Sequence, residues 1–431
     1  MQVRVSSSTA LTEYDAAALE SLDAMPVVPG TKGLPPAADG MTLAEVVAQG
    51  WTADDLTLPA MLLRRSALES NIRTMARFCA DNDVWLAPHG KTSMAPQLLA
   101  RQVDAGCWAV TAATDVHLRV YRRFGFSRIV VANQLVDPVT LQWLGDELTK
   151  DERLEVYVFV DSPEAVERLG RAFRADRPLF GLVELGFQGG RAGCRDLESA
   201  TAAAEAVSRA EGLRLAGVSG FEGLIDAGSL EDTLGEIARF VARFGETAEQ
   251  FSTRGMFETD TVLLTAGGSA YFDAVLDGLR KVRLEMPTRV VLRSGCYLTQ
   301  DAGYYDSVSP LAGRARGDAL LRNAAEVRAR VLSRPEPGWL VAGAGKRDLP
   351  IDLGMPHVLG GVADVPAGAE IEVRALSDQH SHLAVDRDLA LRVGDRLAFG
   401  VSHPCTLFDK WRVIPIIDDD ERVVDAVATF F

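Results

Sequence analysis

From residue 57 to about residue 310 the chain alternates short, continuously apolar runs with longer amphipathic stretches. The runs are Val84–Ala87, Trp108–Ala112, Arg128–Ala132, Leu154–Val160, Leu179–Glu184, Leu213–Val218, Val262–Thr265 and Arg289–Leu292. Short apolar runs of this kind read as strands buried on both faces. Between them the apolar positions recur at helical spacing, for instance over Thr92–Ala105, Thr140–Thr149, Pro163–Ala175, Leu197–Ala210 and Leu230–Phe251. Ahead of them lie a strand at Pro59–Leu63 and a helix from Ser66 to Ala80, with Ser66 as N-cap and Glu69 three residues on. Strands separated by helices form a parallel sheet covered on both sides. Eight such units predict an α/β fold, a (β/α)8 TIM-type barrel over residues 57–310. A doubly wound open sheet is the competing arrangement. No GxGxxG follows an early strand, which disfavours its dinucleotide-binding form.

Past residue 311 the texture changes. Short strands, Glu326–Leu332, Gly338–Ala342, Ala369–Arg374, Arg396–Gly400 and Val413–Ile417, are separated by Gly, Pro and Asp. They predict a C-terminal, mostly β domain over 311–431. Residues 1–56 form an N-terminal extension with a Pro- and Gly-rich loop at Pro26–Pro36. A short helix follows, opened by Thr42 with Glu45 completing a capping box. The extension is expected either to brace the rest or to touch a partner subunit.

Composition narrows the function. The formal charge of −15 argues against nucleic acid or an anionic membrane as partner, and no apolar run is long enough to span a bilayer. Met1–Ser8 has no apolar core behind it, so no secretory signal is expected. Five scattered cysteines without a CxxC pair suit a reducing cytoplasm.

The candidate chemistry sits just after predicted strands. Pro88-His89-Gly90-Lys91-Thr92 follows the run ending at Ala87. A lysine at the carboxyl end of a barrel strand faces the cavity enclosed by the loops, where desolvation fits it for Schiff-base chemistry. A solvated surface lysine is the alternative. Val183-Glu184-Leu185-Gly186-Phe187-Gln188-Gly189-Gly190-Arg191-Ala192-Gly193 closes and follows the fifth run, and its glycines let the backbone approach a ligand while Arg191 contacts an anion or a ring. Ala266-Gly267-Gly268-Ser269 and Arg293-Ser294-Gly295-Cys296-Tyr297 follow the seventh and eighth. Barrels often bind phosphate at that place, through exposed backbone N–H groups. In the C-terminal domain His403-Pro404-Cys405 offers imidazole and thiolate on one face of an extended segment, a plausible zinc pair. His380 and His382 lie upstream. All four together would close a structural site, whereas two leave coordination positions open.

Together these motifs resemble the D-threonine aldolase / D-serine dehydratase family, fold-type III enzymes related to the N-terminal barrel of alanine racemases. The likeness runs from about residue 57 to 410. Pro88-His89-x-Lys91-Thr92 is similar to the family's Pro-His-x-Lys-Thr, whose lysine holds pyridoxal 5′-phosphate (PLP), and Gly190-Arg191-Ala192-Gly193 to its Gly-Arg-x-Gly. The two later loops look like its phosphate-side loops, the second being similar to Arg-Pro-Gly-x-Tyr. His403-Pro404-Cys405 resembles its His-x-Cys metal pair. The chain departs from the family at Ala87 (commonly Arg), at Ser93-Met94 (His-Lys) and at Ser377-Asp378-Gln379-His380 (Ser-x-Glu-His).

The resemblance implies PLP on Lys91, bound with help from His89, Arg191, Gly267, Gly268, Ser269, Gly295 and Tyr297. It implies Zn2+, or another divalent ion, on His403 and Cys405. Lys91 and His380 become the catalytic residues, the substrate a small D-3-hydroxy amino acid and the assembly a homodimer. Within the family His-x-Cys looks more like the dehydratases and His-x-Asp more like the aldolases. The expected reaction is therefore elimination to a 2-oxo acid and ammonia, with retro-aldol cleavage to glycine and an aldehyde, or racemisation, as alternatives.

Overall fold

All eight apolar runs form strands of one parallel sheet in a computed structural model that describes residues 11–315 and 320–431. Met1–Ser8, read above as lacking a secretory signal, lies outside the described residues. With a strand at Ala60–Arg64 counted as β1, the barrel strands are β2 (Trp85–Leu86), β3 (Val110–Ala112), β4 (Arg128–Val131), β5 (Glu155–Val160), β6 (Leu179–Leu185), β7 (Leu213–Gly220), β8 (Val262–Ala266) and β9 (Thr288–Leu292). Their order is β2-β9-β8-β7-β6-β5-β4-β3. The gap between β2 and β3 is bridged by backbone bonds from Trp108 N to Leu86 O (2.9 Å), Thr111 N to Pro88 O (2.9 Å) and Gly90 N to Thr111 O (3.1 Å). The sheet is thus a nearly closed barrel. Ala87, Trp108, Tyr157, Phe159, Phe180, Leu182, Leu263 and Val291 fill it, so the interior is a packed core rather than a pore.

Helices follow most strands and start where the sequence supplies an oxygen for an orphan N–H. Asp137 caps Pro138–Lys150, Ser162 caps Pro163–Ala172, Asp196 caps Leu197–Arg209 and Ser229 caps Leu230–Thr253. Ser66 does not act as expected. The helix spans Arg65–Asp81, one residue earlier, and the Ser66 hydroxyl donates to Asp419 at 2.7 Å.

The chain divides into two compact units. The barrel unit comprises the residues up to Asp15, Ala76–Lys91 and Gln102–Gly295; the other comprises Ala16–Met75, Thr92–Arg101 and Cys296–Phe431. The second unit holds a nine-stranded sheet built from β1, β10 (Ala325–Glu336), β11 (Trp339–Ala342), β12 (His357–Val358), β13 (Ile371–Leu376), β14 (Ser381–Val385), β15 (Arg396–Gly400), β16 (Val413–Ile417) and β17 (Val423–Ala428). The strand read with the barrel, β1, pairs here instead, antiparallel to β10 and parallel to β16. Its apolar run fits any buried sheet, and the run alone does not say which. The N-terminal segment braces this sheet: Val27, Leu34, Leu43, Val46 and Leu56 pack on Leu62, Val413, Ile417 and Val423. The Thr42–Glu45 capping box forms as expected.

One buried charge belongs to this scaffold. Arg328, on β10, is fully buried and donates to Glu326 at 2.8 Å and to Glu421 at 2.6 and 2.8 Å, while Arg64 donates to the other oxygen of Glu326 at 2.8 Å. Among the described residues no helix is long and apolar enough to cross a membrane.

Candidate active site

In a parallel barrel every strand ends at the same rim, so the residues just past β2, β3, β6, β7, β8 and β9 meet there. Past β2 come His89 and Lys91. Burial, the charge of Lys91 and then the Arg293, His117 and Arg191 charges push His89 well below its ordinary value, so its ring is neutral. His89 Nδ1 is buried and, among the described residues, has no hydrogen-bond partner. Past β3, His117 is also depressed, by burial first and by Lys91 second, and its Nδ1 accepts from Ala113 N at 3.2 Å. Lys91 thus stands among imidazoles that stay uncharged in its field.

Arg293, just past β9, is buried with its guanidinium bonded to Thr265 Oγ1 (2.7 Å) and Gly220 O (2.6 Å) and lying 5.1 Å from the Phe159 ring centroid. Burial lowers its pKa to about 10, which still leaves it protonated at neutral pH. Gly295 sits where the chain passes close behind His89. A β-carbon there would lie 2.3 Å from His89 O, so only glycine fits without a backbone shift.

Gly267 and Gly268 do not stand with free N–H groups, as the sequence reading expected. They donate to the two oxygens of buried Glu222, at 3.1 and 2.6 Å. The physical reason is that two adjacent amides aimed at one point attract whatever anion is at hand. Here it is the carboxylate two residues beyond β7. Ser294 Oγ ties the same loop down, donating to Gly267 O and Gly268 O at 3.1 Å. Ser269 is half-buried beside them. Arg191 is exposed, its guanidinium 4.6 Å from the Phe221 ring centroid, so it meets a ring rather than an anion. Glu184, near the end of β6, is buried and its pKa is raised by that burial, while Gln134 donates to it at 2.5 Å.

A second constellation lies within the other unit. Cys296, His403 and Cys405 bring one sulfur or nitrogen donor each to within 4.8 Å of one another. The two sulfurs are 3.5 Å apart, and Thr92 Oγ1 lies 3.1 Å from the Cys405 sulfur and 3.6 Å from that of Cys296. His403 Nδ1 is tied to Asp352, which also accepts from Thr406 at 2.8 Å. The hydrogen bond with Cys405 pulls the Cys296 thiol well below its ordinary range, against burial and with help from His403. Burial opposes the charge of His403, but Cys296 and Asp352 together outweigh it and raise its pKa. Tyr305 packs edge-on to His403, with centroids 5.8 Å apart.

His380 and His382 take no part in this donor group. His380 is exposed in the turn before β14, and His382 points its Nε2 at Ser377 Oγ, 2.9 Å away, so the closed four-ligand site does not form. Tyr297 is buried in a 3₁₀ turn over Cys296–Leu298. Sequence reasoning passed over Glu222, His117 and Asp352, and it left Glu184, Arg293 and Cys296 as unassigned members of their motifs. A usable signal existed for Glu222, an acid between aromatic Phe221 and Gly223 just past a strand.

Comparison with known proteins agrees with this fold. Residues 63–278 match the family model described as alanine racemase, N-terminal domain, and residues 324–417 match the putative serine dehydratase domain. A D-threonine aldolase from Arthrobacter sp. is 25% identical over 363 residues, 84% of this chain and 86% of the relative. Among solved structures, D-threonine aldolase from Filomicrobium marinum has a TM-score of 0.75 at 24% identity, covering 88% of this chain and 97% of the other. D-threo-3-hydroxyaspartate dehydratase from Delftia sp. HT23 has a TM-score of 0.70 at 20% identity, covering 88% and 99%. By its barrel the chain belongs to the family described as alanine racemase, N-terminal domain, and its second domain is similar to the putative serine dehydratase domain.

Proposed function

We propose that the protein is a PLP- and metal-dependent lyase that dehydrates a D-3-hydroxy amino acid, the water lost being regained as the resulting imine is hydrolysed, so that the net products are a 2-oxo acid and ammonia. The observation that carries the reading is the barrel rim, where Lys91 and a buried cationic Arg293 face a site with an orphaned His89 nitrogen. Those residues fit the cofactor. Lys91 supplies the amine for its aldehyde, Arg293 a donor for a ring or phosphate atom, and His89 an unused buried nitrogen. Ser269 and Gly295 complete the phosphate side. Gly267 and Gly268 shape its wall, since Glu222 already uses their amides. Arg191, exposed on Phe221, borders the entrance.

The sulfur and nitrogen donors His403 and Cys405 suit a zinc ion, and Asp352 orients the imidazole so that Nε2 is the ligand atom. A cysteine-to-alanine variant of a D-threo-3-hydroxyaspartate dehydratase has been solved in a metal-free form, which supports a cysteine ligand here. When bound, PLP supplies an electron sink for charge at Cα, and the ion supplies a Lewis acid for a substrate oxygen. The chain does the rest. Lys91 Nζ removes the proton from Cα, and the neutral His89 and His117 add no competing charge beside it. Arg293 keeps its proton throughout and stays a donor. A homodimeric state and a cytoplasmic setting complete the reading, the latter supported by five cysteines that form no disulfide.

The retro-aldol route remains the second reading, because the Arthrobacter relative and the Filomicrobium structure are both named D-threonine aldolase. Product analysis with D-threonine, on protein supplied with PLP and zinc, separates the two. Elimination gives 2-oxobutanoate and ammonia. Glycine and acetaldehyde would instead establish the aldolase, and L-allo-threonine alone a racemase.

A further inference from the structure

We infer that Cys296 is a third protein ligand of the metal, so that the ion is held by a Cys-His-Cys set with one coordination position left for the substrate. This rests on the reading that His403 and Cys405 bind an ion. It goes beyond that reading, because Cys296 comes from the loop after the last barrel strand, 109 residues before Cys405.

The geometry is that of a tetrahedral edge. Zinc–sulfur bonds of about 2.3 Å in a tetrahedron set two sulfurs about 3.8 Å apart, and these lie at 3.5 Å. A disulfide would need about 2.05 Å, and neither cysteine is in one. The imidazole completes the triangle, with all three donor atoms within 4.8 Å of one another. Its other nitrogen is committed to Asp352, the outer partner that metal-bound histidines usually have. The Thr92 hydroxyl reaches both sulfurs, a contact that supports thiolates. Cys296 itself is buried on a short 3₁₀ turn that fixes its direction.

Two consequences follow from the donor set. Two thiolates and one imidazole select a soft, tetrahedral ion such as zinc over magnesium, calcium or manganese. Three protein ligands leave one position of a tetrahedron, so the substrate is gripped through a single oxygen. With only His403 and Cys405 there would be room for two.

X-ray absorption of the purified, zinc-loaded wild type, kept reduced, counts the ligands without any variant. Two sulfur scatterers per zinc are expected, and one would overturn the inference while leaving the His403–Cys405 reading intact. Cobalt loading gives an independent count. Cys296→Ser should keep the cobalt while losing about half of the thiolate charge-transfer absorbance. In chelator competition its zinc affinity should fall by more than the ~10–100-fold typical of an outer-sphere change. An unchanged band and affinity would exclude Cys296 as a ligand. If the wild type binds neither ion, the metal reading and this inference fall together.

Discussion

Two buried arginines divide the work of this molecule. Arg328, in the β unit, meets Glu326 and Glu421 at hydrogen-bond distance, and although burial opposes its charge these partners raise its pKa. Arg293, at the barrel rim, has only neutral acceptors, Thr265 Oγ1 and Gly220 O, and burial lowers its pKa. Among the described residues no carboxylate forms an ion pair with it. A buried charge is costly unless paired. The scaffold arginine is satisfied within the chain, whereas the rim arginine is held ready by dipoles and by the more distant Glu222 and Glu184. That difference is the one expected where a fold carries a binding site.

Substitution should break the comparison in opposite ways. Arg328→Met removes the centre of a network and leaves buried Glu326 with Arg64 alone. It should cost about 3–5 kcal/mol in denaturant unfolding with little direct effect on cofactor binding in the protein that stays folded. Arg293→Met should cost less stability, about 1–3 kcal/mol for two acceptors left without a donor. It should nonetheless abolish PLP retention, read by cofactor absorbance after dialysis. If Arg293→Met proves the more destabilising and still retains PLP, the division of roles is wrong. Glu222→Leu frees the Gly267 and Gly268 amides and should cost about 1–3 kcal/mol, a loss that added phosphate should partly reverse if those amides then take an anion. Thr42→Ala, in the N-terminal segment that braces the β sheet, should cost about 1 kcal/mol through its lost cap and leave activity unchanged per folded molecule.

The same contrast explains what could be read from the sequence. The barrel strands were legible because each is a short apolar run followed by a helix, and this local pattern names the element. Lys91 and the rim loops were legible because they sit directly after those strands. Strand β1 was legible as a strand but not as a member of the second sheet, since its partners β10 and β16 lie over 250 residues away in register pairs such as Leu62–Glu326 and Leu63–Ile416. The donor cluster was half legible. His403-Pro404-Cys405 is local, but Cys296 and Asp352 join it only through folding. His380 and His382 misled because closeness in sequence is not convergence: β14 turns Ser381 and Leu383 inward, and His382 points the other way. Glu222 was missed because a loop rich in glycine reads as an empty cradle, and nothing local says that an internal carboxylate fills it.

The central claim is that Lys91 carries the cofactor at this rim. Borohydride reduction of the PLP-loaded protein, followed by peptide mass spectrometry, tests it most directly. The account predicts a stable pyridoxyl group on the peptide containing Lys91, and none on the Lys91→Ala variant. Label on another lysine, or label that persists in Lys91→Ala, would contradict it.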